Sequence, residues 1–213
     1  LNPEKLEPVK DYMNISENAG EIIGQISKGK IKSFEITAYG ELIKLDIEPL
    51  EVAILKGALS SIFHDVNYVN APFLAKQRGI EIKIIKSEAP SSFTSLLKVK
   101  MTTDIEINSV SVSLIAKNIA RIVKLNDYDV IIKPNEHILI VPHINQVAMV
   151  AKVANTLCEE NINIGSMNVS QNIKGSDMSI MVIDIDTALS EEMLNKISKI
   201  EGVHNPKCIK LNV

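Results

Sequence analysis

The stretch Ile138–Ile185 reads ILIVPHINQVAMVAKVANTLCEENINIGSMNVSQNIKGSDMSIMVIDI, and its changes of period decide the fold of the second part of the chain. Ile138–Val141 is a short apolar run of strand length. From Val147 to Glu160 the spacing changes, and Val150, Val153, Ala154 and Leu157 fall on one face of a helix. Ile162–Gln171 returns to strand character. Asn172–Gly175 supplies turn residues, and Met178–Ile185 alternates as the hairpin partner. Downstream, Ser190 stands where an N-cap belongs, with Glu191 and Glu192 at the positive end of the helix dipole. Leu194, Ile197 and Ile200 share the inward face, Gly202 breaks the helix, and Ile209, Leu211 and Val213 alternate in a last strand. The order is β-α-β-β-α-β within about 77 residues.

Upstream the pattern is also α+β, with helices early and a sheet late. Glu7–Ile26 reads as a helix carrying Val9, Tyr12, Met13, Ile22, Ile23 and Ile26. Lys32–Tyr39 alternates Phe34, Ile36 and Ala38 as a strand, Gly40-Glu41 turns, and Leu42–Ile47 reads as a second extended run. Pro49 suits the first turn of a helix in which Leu55, Ala58, Leu59 and Ile62 form the core stripe. Asn70-Ala71-Pro72 opens another helix by cap and Pro, and Gly79 ends it. Ile80–Lys86, Leu96–Ile105, Ser109–Ile115, Ile119–Lys124 and Val130–Lys133 read as strands, with a turn at Asn126-Asp127. The polar, Pro-bearing Lys133-Pro134-Asn135-Glu136 is the expected linker, giving domains 1–133 and 134–213.

Bulk properties narrow the function classes. Of 213 residues, 46% are hydrophobic and 23% charged, an ordinary globular composition. Trp is absent and aromatics are 4%, so the core is aliphatic. A net charge of −3 offers no footprint for nucleic acid or an anionic membrane. Cys158 and Cys208 stand alone, without metal spacing, and fit reduced thiols of a cytoplasmic protein. No apolar run approaches the ~18 residues of a spanning helix, and no signal peptide is evident. The opening Leu1-Asn2-Pro3 reads as a chain entered in its middle.

Two resemblances cover nearly the whole chain. Ile138–Val141, the helix that follows and Glu160–Met167 (ENINIGSM) resemble an ACT domain, a small amino-acid-sensing module of ferredoxin-like fold. Gly40–Ser60 (GELIKLDIEPLEVAILKGALS), Val66–Glu88 (VNYVNAPFLAKQRGIEIKIIKSE) and Ala120–Ile132 (ARIVKLNDYDVII) look like the intervening domain of long-form D-3-phosphoglycerate dehydrogenases. In that family this allosteric substrate-binding domain directly precedes an ACT domain. The resemblance implies a parent enzyme that oxidises D-3-phosphoglycerate with NAD, in L-serine biosynthesis, under feedback by L-serine. The nine glycines form no G-x-G-x-x-G, so no catalytic residue, cofactor or metal is expected within this chain and no dehydrogenase activity of its own.

The same resemblance points to an effector site. An amino acid needs N–H donors for its carboxylate and oxygen acceptors for its ammonium, and a helix N-terminus supplies the first. Family members inhibited by serine carry a His in the loop after strand one, an Asn two residues on, and a second Asn at the start of strand two from the neighbouring subunit. His143, Asn145 and Asn163 match these positions, with Asn145 placed as the helix N-cap. Val147-Ala148 stands where the family has Pro-Gly, and a Cβ at Ala148 narrows the approach. In the first unit, Asn70 at a helix start and Lys86 are the candidate contacts for a phosphorylated anion, with Lys76 and Arg78 close in sequence.

A lone sheet of this kind leaves open edges, so a homo-oligomer joined through the ACT sheets is expected, with serine bridging two chains. Two other readings stand beside this one. The first is the smaller chain of an iron–sulfur L-serine dehydratase, which pairs a related domain with an ACT domain. The second is a non-catalytic amino-acid sensor or assembly module.

Overall fold

The structure, a computed structural model, describes residues 3–89, 92–116 and 119–212. Contacts divide the chain into two compact units, one running through Asn126 and one from Asp127 to Asn212. The first unit opens with α1 (Pro3–Leu6) and a 3-10 turn at Glu7–Val9, which lead into α2 (Lys10–Ile26). It continues through β1 (Ile31–Gly40), α3 (Glu48–Ser60), α4 (Ala71–Gln77), β2 (Glu81–Ser87), β3 (Ser95–Thr103), β4 (Ile107–Ala116) and β5 (Ile119–Leu125). Its strands lie in the order β2-β1-β3-β4-β5, with β1 parallel to β2 and antiparallel to β3. Cross-strand partners Phe34 with Met101, Ile36 with Val99 and Ala38 with Leu97 are all buried, as are Val110 and Val112 on β4. This is the period-2 face read from the sequence, closed over by α2, which packs on β3, β4 and β5.

Several first-unit expectations need correction. Leu42–Ile47 is not extended: Glu41–Lys44 is a 3-10 turn, because Gly40 takes a φ of +63° and Glu41 N donates to Thr94 O at 3.0 Å. Ile62 is 52% exposed, because α3 has already ended at Ser60. The middle of α2 is buried although it is polar: Ser16, Glu17, Asn18 and Glu21 are all inside. The cause is a close crossing of α2 with α3. A Cβ on Gly20 would lie 2.1 Å from Ile54 O, and one on Gly57 would lie 2.2 Å from Glu17 O. At this crossing Glu17 bonds both Lys56 and the Tyr68 hydroxyl, and Lys56 Nζ sits 4.6 Å from the Tyr68 ring centre. Burial first, and then the Glu17 hydrogen bond, push the Tyr68 phenol well above its ordinary value.

The second unit comprises β6 (Tyr128–Ile132), β7 (His137–Ile144), α5 (Met149–Glu159), β8 (Ile164–Gln171), β9 (Met178–Ile185), α6 (Glu191–Ser198) and β10 (Lys207–Lys210). Lys133–Glu136, read above as the linker, follows β6. From β7 onward the order is β-α-β-β-α-β, and the four-stranded sheet runs β10-β7-β9-β8, a ferredoxin-like arrangement in an α+β fold. Leu139, Val141, Met181 and Ile183 form the sheet side of a core closed by Met149, Val153 and Leu157 of α5 and Met193 and Ile197 of α6. Ser190 caps α6 as expected, its Oγ accepting from Met193 N at 3.1 Å. The first helix of this unit starts later than the sequence indicates, at Met149 rather than Val147, and its buried face is Met149, Val153 and Leu157, with Val150 42% exposed. The last strand is limited to Lys207–Lys210, and Val213 lies outside the described residues.

Candidate functional site

His143 is not a loop residue. It lies inside β7, 2% exposed, with Ser179 as its ladder partner on β9 and Val203 bridged on its other side. The alternation explains this: Leu139, Val141 and His143 share one face of β7, so the imidazole closes the end of the apolar core. Its Nδ1 is 3.0 Å from Val141 O. Since a carbonyl only accepts, that nitrogen carries the proton, and in the neutral ring Nε2 is left as the acceptor.

Asn145 follows β7 and is exposed. It is not the cap of α5: the cap position is Ala148, in the left-handed conformation at φ +67°, with no side-chain cap bond. The strand is held up to this point by backbone bonds, Ile144 N to Gly202 O at 2.8 Å and Asn145 N to Asp177 O at 2.7 Å. The chain must then reverse direction to enter the helix, and Ala148 makes that reversal.

Asn163 is exposed and immediately precedes β8. Its backbone is tied to Asp186: Asn163 N donates to Asp186 Oδ1 at 3.2 Å, and Asp186 N donates to Asn163 O at 3.3 Å. The ladder register places it relative to the other two. Ile138 pairs with Asp184, which pairs with Ser166, whereas His143 pairs with Ser179, which pairs with Gln171. His143 and Asn145 therefore stand at the Gln171 end of the sheet, and Asn163 at the opposite end. Along β8 the separation is roughly 27 Å at ~3.4 Å per residue. Within one chain the structure brings His143 and Asn145 together and leaves Asn163 apart.

The register also exposes what sequence reading missed. His143, Ser179 and Gln171 form a polar row across three strands, beyond the apolar rows of Val141 with Met181 and Leu139 with Ile183. The signal was present in β9, where Ser179 is the polar member of a face otherwise made of Met181, Ile183 and Ile185.

In the first unit, Asn70 occupies the cap position of α4, but its side chain makes no cap bond. Its Nδ2 donates to Asp65 O at 2.9 Å, and its Oδ1 accepts from Asn67 N at 2.8 Å. Lys86 Nζ donates to Leu45 O at 2.5 Å. The two residues are thus engaged with different backbone carbonyls. Among the described residues no cluster of His, Cys, Asp or Glu fits a metal, and no helix is long and apolar enough to cross a membrane.

Comparison with known proteins identifies the family of the chain. The family model of the D-3-phosphoglycerate dehydrogenase intervening domain matches residues 8–126. The D-3-phosphoglycerate dehydrogenase of Synechocystis sp. is 30% identical over 213 residues, covering 99% of this chain and 38% of that protein. That of Methanocaldococcus jannaschii is 32% identical over 209 residues, covering 98% and 39%. That of Bacillus subtilis is 26% identical over 212 residues, covering 99% and 40%. The chain thus spans about two fifths of the length of these curated relatives. A family model that matches more than half of the residues, together with relatives that match both units, shows that the chain belongs to the D-3-phosphoglycerate dehydrogenase intervening-domain family.

Proposed function

We propose that this chain is the regulatory region of a D-3-phosphoglycerate dehydrogenase and binds L-serine as a feedback effector between the ACT-like units of two copies. The observation that carries the reading is the placement of His143 and Asn145 at one end of the sheet and Asn163 at the other, with β8 as an edge strand. A two-fold axis through β8 pairs it antiparallel with β8 of a second copy. The start of one β8 then lies beside the end of the other, and Asn163 of the second copy arrives at the end that holds His143 and Asn145. Val169 on β8 is an exposed apolar residue on the strand that such pairing joins. The serine carboxylate is favoured at the start of α5, and the two Asn amides offer both donors and acceptors to its ammonium and carboxylate.

The parent enzyme in this reading is a cytoplasmic, NAD-dependent oxidoreductase, and hydride transfer belongs to parts of it beyond this chain, which lacks a dinucleotide fingerprint. The names of the relatives favour this over the dehydratase chain. The test is isothermal titration of L-serine into the chain, with glycine and D-3-phosphoglycerate in parallel. Saturable binding of L-serine is expected. Binding of D-3-phosphoglycerate alone would move regulation to Asn70, Lys86 and the first unit, and the absence of any serine heat would contradict the reading.

A further inference from the structure

Ser179 is 1% exposed, and among the described residues its Oγ has no hydrogen-bond partner. Native proteins rarely leave a buried hydroxyl in that state, and such a group calls for a physical reason. Its position supplies one. Ser179 is the ladder partner of His143, so the two side chains stand on the same face with Cβ atoms ~4.5–5.5 Å apart. The Nδ1 contact with Val141 O leaves His143 Nε2 as an acceptor. A hydroxyl that can both donate and accept therefore lies next to a ring nitrogen that accepts. The row ends on exposed Gln171 at the sheet edge, and the exposed loop Asn145–Ala148 begins two residues after His143, beyond Ile144.

We infer that Ser179 is a specificity-determining residue of the effector site, and that its hydroxyl and His143 Nε2 together read the side-chain hydroxyl of a hydroxylated amino acid. The ligand hydroxyl donates to Nε2 and accepts from Ser179 Oγ, so the bond missing in the free chain forms on binding. L-alanine, which has a hydrogen where serine has its hydroxyl, leaves both groups unsatisfied, and this is how a polar pocket rejects an analogue that lacks the hydroxyl. The inference rests on the proposed function, and it adds a residue and a basis for selectivity that the sequence comparison did not supply.

The experiment titrates L-serine, L-alanine and glycine into the wild-type chain and into Ser179→Ala, with thermal unfolding of both. In the wild type, L-serine is expected to bind more tightly than L-alanine by on the order of ten-fold. In Ser179→Ala, L-serine weakens toward L-alanine, L-alanine is unchanged, and the unfolding midpoint is unchanged or higher, because an unpartnered buried hydroxyl is lost. Should that variant not fold, Ser179→Cys, similar in size and a weak donor, provides the same comparison. An unaltered serine-to-alanine ratio overturns the inference while leaving serine binding intact. Equal weakening of both ligands with loss of stability makes Ser179 structural and also overturns it. A wild-type chain that binds no serine removes the proposed function and the inference together.

Discussion

Ala148 carries the backbone reversal that opens α5, at φ +67°, and it does so as an L-residue with a Cβ. The left-handed conformation costs such a residue about 1–2 kcal/mol, and glycine escapes that cost. Ala148→Gly is therefore expected to stabilise the chain by about 0.5–1 kcal/mol after allowing for glycine's greater freedom when unfolded. The measurement is urea unfolding, where a higher midpoint at unchanged slope is the expected result and a lower midpoint would mean that Ala148 is not strained. The residues His143, Asn145 and Asn163 were legible as candidates through family resemblance, but their settings were not. The sequence reading ends the strand at Val141, the end of the apolar run, and leaves Pro142–Gln146 as a loop. The ladder with β9 carries the strand three residues further, to Ile144, and that extension buries the imidazole. Ala148 shows the same limit: its φ is imposed by the strand–helix connection and leaves no mark in the residue type.

At the scale of elements, the alternating strands and most helices were legible, because burial on one face writes a period into the sequence. The α2–α3 crossing was not. A search for apolar stripes finds this helix by its apolar ends but passes over the burial of its centre at Ser16, Glu17, Asn18 and Glu21, and scattered glycines do not announce an interface. Yet Gly20 and Gly24 lie four residues apart on one helix face, and each admits the backbone of α3. The buried Glu17 is tolerated because Lys56 and Tyr68 meet it, partners distant in sequence. Gly20→Ala places a Cβ 2.1 Å from Ile54 O and 2.9 Å from Ala58 N, both backbone atoms that cannot swing aside. Despite alanine's helix preference of ~1 kcal/mol, this substitution is expected to destabilise the first unit by about 1–3 kcal/mol. Chemical denaturation measures it, and a neutral or stabilising outcome would show that the helices are not in backbone contact.

At the scale of the whole molecule, a first unit that belongs to the D-3-phosphoglycerate dehydrogenase intervening-domain family is joined to a ferredoxin-like unit whose sheet ends in β10 on one side and β8 on the other. The account rests on the proposal of a site divided between two copies, a division that the family resemblance implies and that the register of β7, β9 and β8 supports. The most direct test pairs two variants that each remove one half of the site, Asn145→Ala and Asn163→Ala, both at exposed positions. Each alone is expected to lose serine binding in titration calorimetry. After the two are co-refolded, random pairing makes about half of the dimers mixed, each with one intact site, so about a quarter of the wild-type binding capacity returns. Recovery of that fraction is the predicted result. A mixture that binds no more serine than either variant alone would contradict the account, because it would place all the contacts within a single chain or remove these residues from the site.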